Sequence, residues 1–416
     1  METLGGNSSS WRLGLLWLAG ISLRITVLAI PPVIPAIHND LALNEKAVGI
    51  LTSLPVLLLA AAAVLGSLII HRLGARRALI IGLWLVALAG AVRGAGPSIP
   101  VLFAMTFAMG CGISVCQPAL PSLVAQWFKR RIGLATASYS NGLLVGEMVA
   151  AGLMLPVVLP LLHGSWELGL AFWSAPVAIT AVLVAMFTKH HQPAEARRAG
   201  QWWPDWQERQ TWHLGLLLGL GQIAYWVPNA FVADYLKAAG HPEYIAASLT
   251  SLNAAQIPAS LLVAALPGRL IQKRWPMLID GVLIMVATAG LMSSRPELAA
   301  FWAGVLGFAG AFIFVLNLAL PPLLAAPEDV HRLSAGIFSI SYACAFLGPL
   351  VGGAIWDATG RPVTAFVPVI AGAAIMSWLA ATVDLTRARG SPRGKPPSPG
   401  TSTPGASSGL RTRTSG

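Results

Sequence analysis

The chain has 416 residues, is 56% hydrophobic and only 10% charged, and carries a formal net charge of +11. Soluble domains run near 25% charged, so this composition excludes an ordinary soluble domain and indicates a polytopic helical membrane protein. The apolar runs are long and continuous rather than alternating, which excludes a strand-built barrel, and the scattered Cys111, Cys116 and Cys344 make neither a disulfide framework nor a zinc site.

Twelve spans are predicted, over residues 12–37, 46–70, 78–96, 99–127, 132–160, 166–188, 212–236, 244–267, 276–294, 297–326, 332–356 and 362–385. They divide into an N-terminal six-helix bundle (12–188) and a C-terminal one (212–385), joined by a polar linker (189–211). Residues 1–11 form the cytoplasmic N-terminus; Met1–Ser10 is polar with no basic stretch, so no cleavable signal peptide is expected. The linker holds Trp202, Trp203 and Trp206, which predicts an amphipathic helix at the membrane interface. The tail, 386–416, is built from Ser, Pro, Gly, Arg and Thr and is expected to be disordered.

The basic residues give the orientation. With the N-terminus inside, about 21 of the 27 Lys and Arg fall on the inner side, including Arg72, Arg76, Arg77, Lys129, Arg130, Arg131, Arg269, Lys273, Arg274 and Arg332. Both termini are then cytoplasmic. The positive charge reads as a topology signal, with contact to anionic lipid, rather than as a nucleic-acid surface.

The first span reads LLWLAGISLRITVLAIPPVIPAI, with Arg24 near its middle. On an isolated helix an Arg at the bilayer centre costs at least roughly 2.5–3.5 kcal/mol, and it is tolerated facing protein or a watery cavity. It either binds an anionic group or is a structural Arg answered by backbone carbonyls. In the third span Arg93 lies toward the outer end and is expected to snorkel outward. Glu147 lies near the centre of the fifth span, whereas Asp234 and Asp280 lie nearer span ends. Gln117 with Pro118 in the fourth span, and Asn317 with Pro321 and Pro322 in the tenth, place amides beside helix-kinking prolines. Those amides either meet a polar solute or bond between helices. In the seventh span Tyr225, Trp226 and Asn229 make an aromatic wall with a polar edge, for a planar ligand or for core packing.

The chain repeats itself at an offset near 200. LTSL recurs at Leu51 and Leu249, and ALPSL at Ala119 returns as ALPPL at Ala319. The Gly146 and Gly152 pair of the fifth span has a counterpart in GPLVGG, from Gly348 to Gly353. Two related halves put a solute site at their interface near the midplane.

Between the second and third spans, SLIIHRLGARR (Ser67–Arg77) resembles the loop signature of the major facilitator superfamily. Arg72, Gly74 and Arg76 match it, with Arg77 following; Ser67 stands for Gly, Ile69 for Leu, His71 for Asp and Ala75 for Arg. GRLIQKRW (Gly268–Trp275) resembles a degenerate second copy: Gly268 and Leu270 match, Lys273 stands for Arg, Gln272 replaces the acid, and Arg274 follows. The resemblance implies a charged latch at the inner face. His71 in place of Asp either weakens that latch or makes it pH-sensitive. Leu23-Arg24, Gly146-Glu147, Trp226-Val227-Pro228 and GPLVGG further resemble the cyanate-permease and nitroimidazole-transporter branch.

The resemblance implies a twelve-helix, two-bundle all-α fold with spans one and five adjacent, so that Glu147 partners Arg24. The pair is either a permanent structural bridge or a switch in which Glu147 takes a proton as Arg24 takes an anion. The expected function is a monomeric secondary transporter of the inner membrane. It would be proton-coupled, moving a small anionic solute held by Arg24, Gln117, Tyr225, Trp226, Asn229 and Asn317. The rival is a proton-driven exporter of heteroaromatic compounds. No phosphate loop, metal set or hydrolytic triad is visible, so no enzyme activity, cofactor or ATP coupling is expected.

Overall fold

The computed structural model describes residues 7–41, 45–96, 98–188, 202–293, 295–383 and 385. The expected tail, most of the linker and the first six residues lie outside them. Every regular element among the described residues is helical.

Among the described residues the helices group into twelve spans, ten of them long and apolar enough to cross a membrane as they stand and an eleventh as a bent pair. Span one is Asn7–Leu28 followed by a turn at Pro31–Val33 and a short helix, Ile34–Leu41. Pro31 and Pro32 cannot donate to the ladder, which is why the helix does not run on. Span two is Glu45–Ala61 plus Ala63–Leu73, bent by 53°. The bend lies where the Ser114 hydroxyl, from span four, donates to the Leu58 carbonyl at 2.9 Å, a side chain intruding on the helical ladder. Spans three and four are Ala75–Arg93 and Ile99–Trp127. Span four stays helical through Pro118 and Pro121. Span five, Ile132–Leu153, ends in a wide turn, Met154–Val158, and span six is Trp166–Phe172 with Ser174–Phe187.

The second half repeats the plan. Span seven is Arg209–Ala238, span eight Ile245–Ala254 with Gln256–Ala265, and span nine Arg274–Ser293. Span ten is Ala299–Leu318 with Leu320–Leu324, span eleven Val330–Thr359 and span twelve Val367–Thr382. Large apolar side chains such as Leu88, Ile179, Met186, Leu350 and Trp378 remain exposed on the outside. That is the expected surface of a body solvated by lipid, where burial of such groups gains nothing.

Span one packs along span five, and span seven along span eleven. Glycines make the first pairing close. A Cβ at Gly20 would strike the Tyr139 carbonyl, and one at Gly142 the Trp17 carbonyl. One at Gly146 would lie 2.6 Å from the Ile21 carbonyl. The halves meet where span eleven lies against spans two and four, and where span eight lies against span five.

Two expectations are corrected. Trp202–Glu208 is not an amphipathic helix. Pro204 interrupts it, and the Asp205 carboxylate accepts from the Gln207 amide at 3.2 Å, closing a turn. The segment then enters span seven, with the Trp212 indole donating to the Trp206 carbonyl. Arg93 does not snorkel: it is fully buried, because span six covers the end of span three.

Close approach of spans one and five predicts that Gly142→Ala destabilises the protein by roughly 1–3 kcal/mol, the usual cost of overpacking. A Cβ at Gly152 meets nothing within 4 Å, so Gly152→Ala should shift stability by less than about 0.5 kcal/mol. Thermal unfolding of the two purified variants checks this, and equal melting temperatures would contradict it.

Candidate functional site

Near the middle of the bundle a small cavity lies between the two halves. Arg24, Leu144 and Glu147 line it from the first half, and Gln222, Tyr225, Trp226, Gln256, Gly310, Ala311 and Phe314 from the second. Its free volume is about 20 Å³, room for a water molecule and no solute.

Arg24 lies one turn before the break in span one. Gly146 lets span five approach there, and the next residue, Glu147, brings Oε1 to 3.4 Å from Arg24 Nη1. Arg24 is buried and Glu147 nearly so. The other half completes the arrangement. Arg24 Nη2 donates to the Tyr342 hydroxyl at 3.1 Å, and Gln117 Nε2 donates to the same oxygen at 2.9 Å. Tyr342, from span eleven, thus accepts two hydrogen bonds from spans one and four. The Tyr225 hydroxyl donates to Asn253 Oδ1 at 2.9 Å and also faces Glu147. Two phenols from one half therefore bracket the ion pair of the other.

A second polar chain adjoins the first. Trp226 Nε1 donates to Gln222 Oε1 at 3.1 Å, and Gln222 Nε2 donates to Ser341 Oγ at 3.0 Å. Gln222 follows Arg24 by the same 198 residues that separate the two LTSL segments. The repeat thus faces a neutral carboxamide across the cavity toward the guanidinium. The Tyr225 and Trp226 rings meet edge to face, with centroids 5.4 Å apart. The resulting space offers one cation, one carboxylate, two carboxamides and three aromatic faces.

Of the residues singled out from sequence, Arg24, Glu147, Tyr225 and Trp226 line this cavity, and Gln117 reaches it through Tyr342. Asn229 and Asn317 are not among its lining residues. Asn317 donates to the Ile313 carbonyl of its own helix at 2.9 Å. Tyr342, Gln222, Gln256 and Phe314 were not singled out. Gln222 was available through the 198-residue offset; Tyr342 carries no local signal, since its role comes from how span eleven packs across the interface.

The two basic loop segments join spans two and three and spans eight and nine. His71 and Arg72 are exposed, and Gly74 adopts φ +84° at the start of span three. Arg76 Nη2 donates to the Ala185 carbonyl at 2.6 Å and its Nε to Thr188 Oγ1 at 2.5 Å, closing the end of span six. Arg274, again 198 residues on, donates to the Val383 carbonyl at 3.0 Å at the end of span twelve. Gly268 and Lys273 are exposed, as is Arg77. Across the halves, His331 Nδ1 shares a 2.8 Å hydrogen bond with Ser67 Oγ, and the His71 and His331 rings lie 6.0 Å apart. Asn141 Nδ2 donates to Ser260 Oγ at 2.9 Å. These polar bonds tie the halves together at the basic end.

Two related six-helix bundles with a cavity and an ion pair between them are the architecture of a membrane transporter. The chain belongs to the Major Facilitator Superfamily, whose family model matches residues 16–294. Similar proteins include the 2-nitroimidazole transporter of Escherichia coli, 28% identical over 90% of this chain and 94% of that one. The E. coli cyanate transport protein CynX is 26% identical over 83% and 89%. The transporter YycB of Bacillus subtilis is 24% identical over 87% and 90%. Among solved structures, the E. coli fucose:proton symporter FucP superposes with a TM-score of 0.71 at 13% identity, over 89% of this chain and 98% of that one. The human organic anion transporter MFSD10 gives 0.70 at 14%, over 89% and 99%. At such identities the structures share the fold.

If Glu147 answers the charge of Arg24, Glu147→Leu leaves an uncompensated buried guanidinium and should cost roughly 3–5 kcal/mol. The double variant Arg24→Leu/Glu147→Leu should recover most of that loss. Equilibrium unfolding of the two proteins measures it; a double variant as unstable as the single one would contradict the pairing.

Proposed function

We propose that this chain is a proton-coupled secondary transporter that carries a small anionic solute by alternating access, with Arg24 holding the anion and Glu147 carrying the proton. The observation that supports this most is the Arg24–Glu147 pair lining a small cavity between the halves. The basic end then faces the cytoplasm, in the inner membrane, with both termini inside. The related cyanate transport protein is consistent with a small anion as cargo.

The coupling follows from charge. In the empty cavity the guanidinium and carboxylate cancel. An arriving anion takes the in-plane N–H donors of Arg24, a bidentate geometry that favours it over Tyr342 and Glu147. Glu147, now without its partner in a dry site, binds a proton from the open side, since an isolated buried carboxylate is costly. The loaded form is again neutral: a guanidinium, an anion and a protonated carboxyl. Both forms that cross the membrane interior therefore carry no net charge at the site. The cavity admits only water, so the halves must separate at one end to load and at the other to release.

The aromatic lining supports a second reading. Tyr225, Trp226 and Phe314 share the cavity with Arg24 and can cover a planar ring, and the 2-nitroimidazole transporter is among the relatives. In that reading the chain exports heteroaromatic compounds, Glu147 exchanges the proton, and the guanidinium is dispensable.

In reconstituted vesicles, Glu147→Gln fixes the carboxyl in its neutral form. Anion-for-anion exchange should persist, because the loaded form stays neutral. Accumulation driven by a pH gradient should be lost, because the empty form now carries a charge. Radiolabelled cyanate or nitrate, followed in both modes, tests this. Accumulation at the unsubstituted level in the variant would contradict proton coupling through Glu147.

A further inference from the structure

Arg93 closes span three and is completely buried. Its Nη2 donates to the Thr26 carbonyl at 2.8 Å. That carbonyl is spare because span one turns there, the Ile30 amide donating instead to Val27. One role of Arg93 is thus to close the break in span one. This uses one nitrogen. Nε and Nη1 have no hydrogen-bond partner among the described residues, nor does any acid there form an ion pair with Arg93. Its place at a helix C-terminus offsets only part of the charge.

Two more buried polar atoms nearby also lack partners: Thr26 Oγ1 and Ser174 Oγ. Thr26 is the residue whose carbonyl Arg93 bonds, and Ser174 faces Gly90 on the same helix as Arg93. A Cβ at Gly90, one turn before Arg93, would strike Ser174 Oγ and lie 3.7 Å from Thr26 Cγ2. Two described acids on the neighbouring elements are engaged elsewhere. Glu167 Oε2 accepts from Ser165 Oγ at 2.9 Å, and Asp40 Oδ2 accepts from Trp166 Nε1 at 2.7 Å. A permanently charged guanidinium and two hydroxyls, with no carboxylate paired to them among the described residues, form a set of donors for one acceptor. Each buried donor left unmet is costly, and a charged one most of all.

We propose that Arg93, Thr26 and Ser174 form a buried site for a small inorganic monovalent anion of halide size, distinct from the Arg24 cavity. All three residues lie on spans one, three and six of the same half, so the site does not open and close with the gate. The anion neutralises Arg93 and fixes the joint at which span one breaks. It is a structural ion, and its loss loosens the span that carries Arg24.

The test is thermal unfolding of the purified full-length protein in gluconate buffer titrated with chloride, and separately with bromide. The melting temperature should rise saturably with either halide. Ser174→Ala removes one donor while keeping the cation, and should raise the half-saturating concentration about tenfold. Gly90→Ala crowds the same space and should weaken halide binding likewise. Arg24→Gln should leave the halide response unchanged, which separates this site from the proposed transport site. Absence of a saturable halide response would overturn the proposal, as would a response unaltered by Ser174→Ala and Gly90→Ala. A response lost in Arg24→Gln would assign the ion to the central cavity and also overturn it.

Discussion

A guanidinium in the middle of a membrane protein has to be answered, and that requirement organises this molecule. Arg24 cannot shed its charge, and it is too deep to snorkel to the membrane surface. The answer comes from three directions: Glu147 on span five, Tyr342 on span eleven and, through that phenol, Gln117 on span four. Two of the three groups belong to its own half and one to the other half. The ion pair is thus made within one half, while the bond to the Tyr342 phenol crosses between the halves.

Backbone proximity makes this possible. The carboxylate of Glu147 reaches Arg24 because Gly142 and Gly146 leave no side chain between spans five and one. Glycine is costly in a helix, about 1 kcal/mol relative to Ala, and here that cost is offset by backbone packing and by the placement of the charges. The second half reuses the plan with different chemistry. Gln222 stands where Arg24 would fall in the repeat, and Arg274 closes span twelve as Arg76 closes span six. The repeat has therefore kept its structural arginines at the basic end and its charge in only one half of the cavity.

Much of this could be read from the residues alone. Long apolar runs, the offset repeats and the basic loops gave twelve helices in two halves, because each depends on local composition. Arg24 and Glu147 stood out because charge is rare in such segments. Tyr342 did not, because a tyrosine in an apolar helix carries no mark of which partner its hydroxyl will meet. Arg93 was misplaced because position near a span end suggested access to the surface, whereas the covering of that end by span six is a tertiary fact. The Trp202–Trp206 segment misled in the opposite way: its composition suited an interfacial helix, yet Pro204 and the Asp205 turn break it.

The most direct test concerns whether Arg24 is the charge that holds the solute. Thermal stabilisation of the purified protein should be measured with small anions (cyanate, nitrate, short carboxylates) and with planar nitrogen heteroaromatics, beside the Arg24→Gln variant. Stabilisation by an anion that disappears in the variant is the predicted result. Stabilisation by heteroaromatics alone, surviving intact in Arg24→Gln, would contradict it and move the binding role to Tyr225, Trp226 and Phe314.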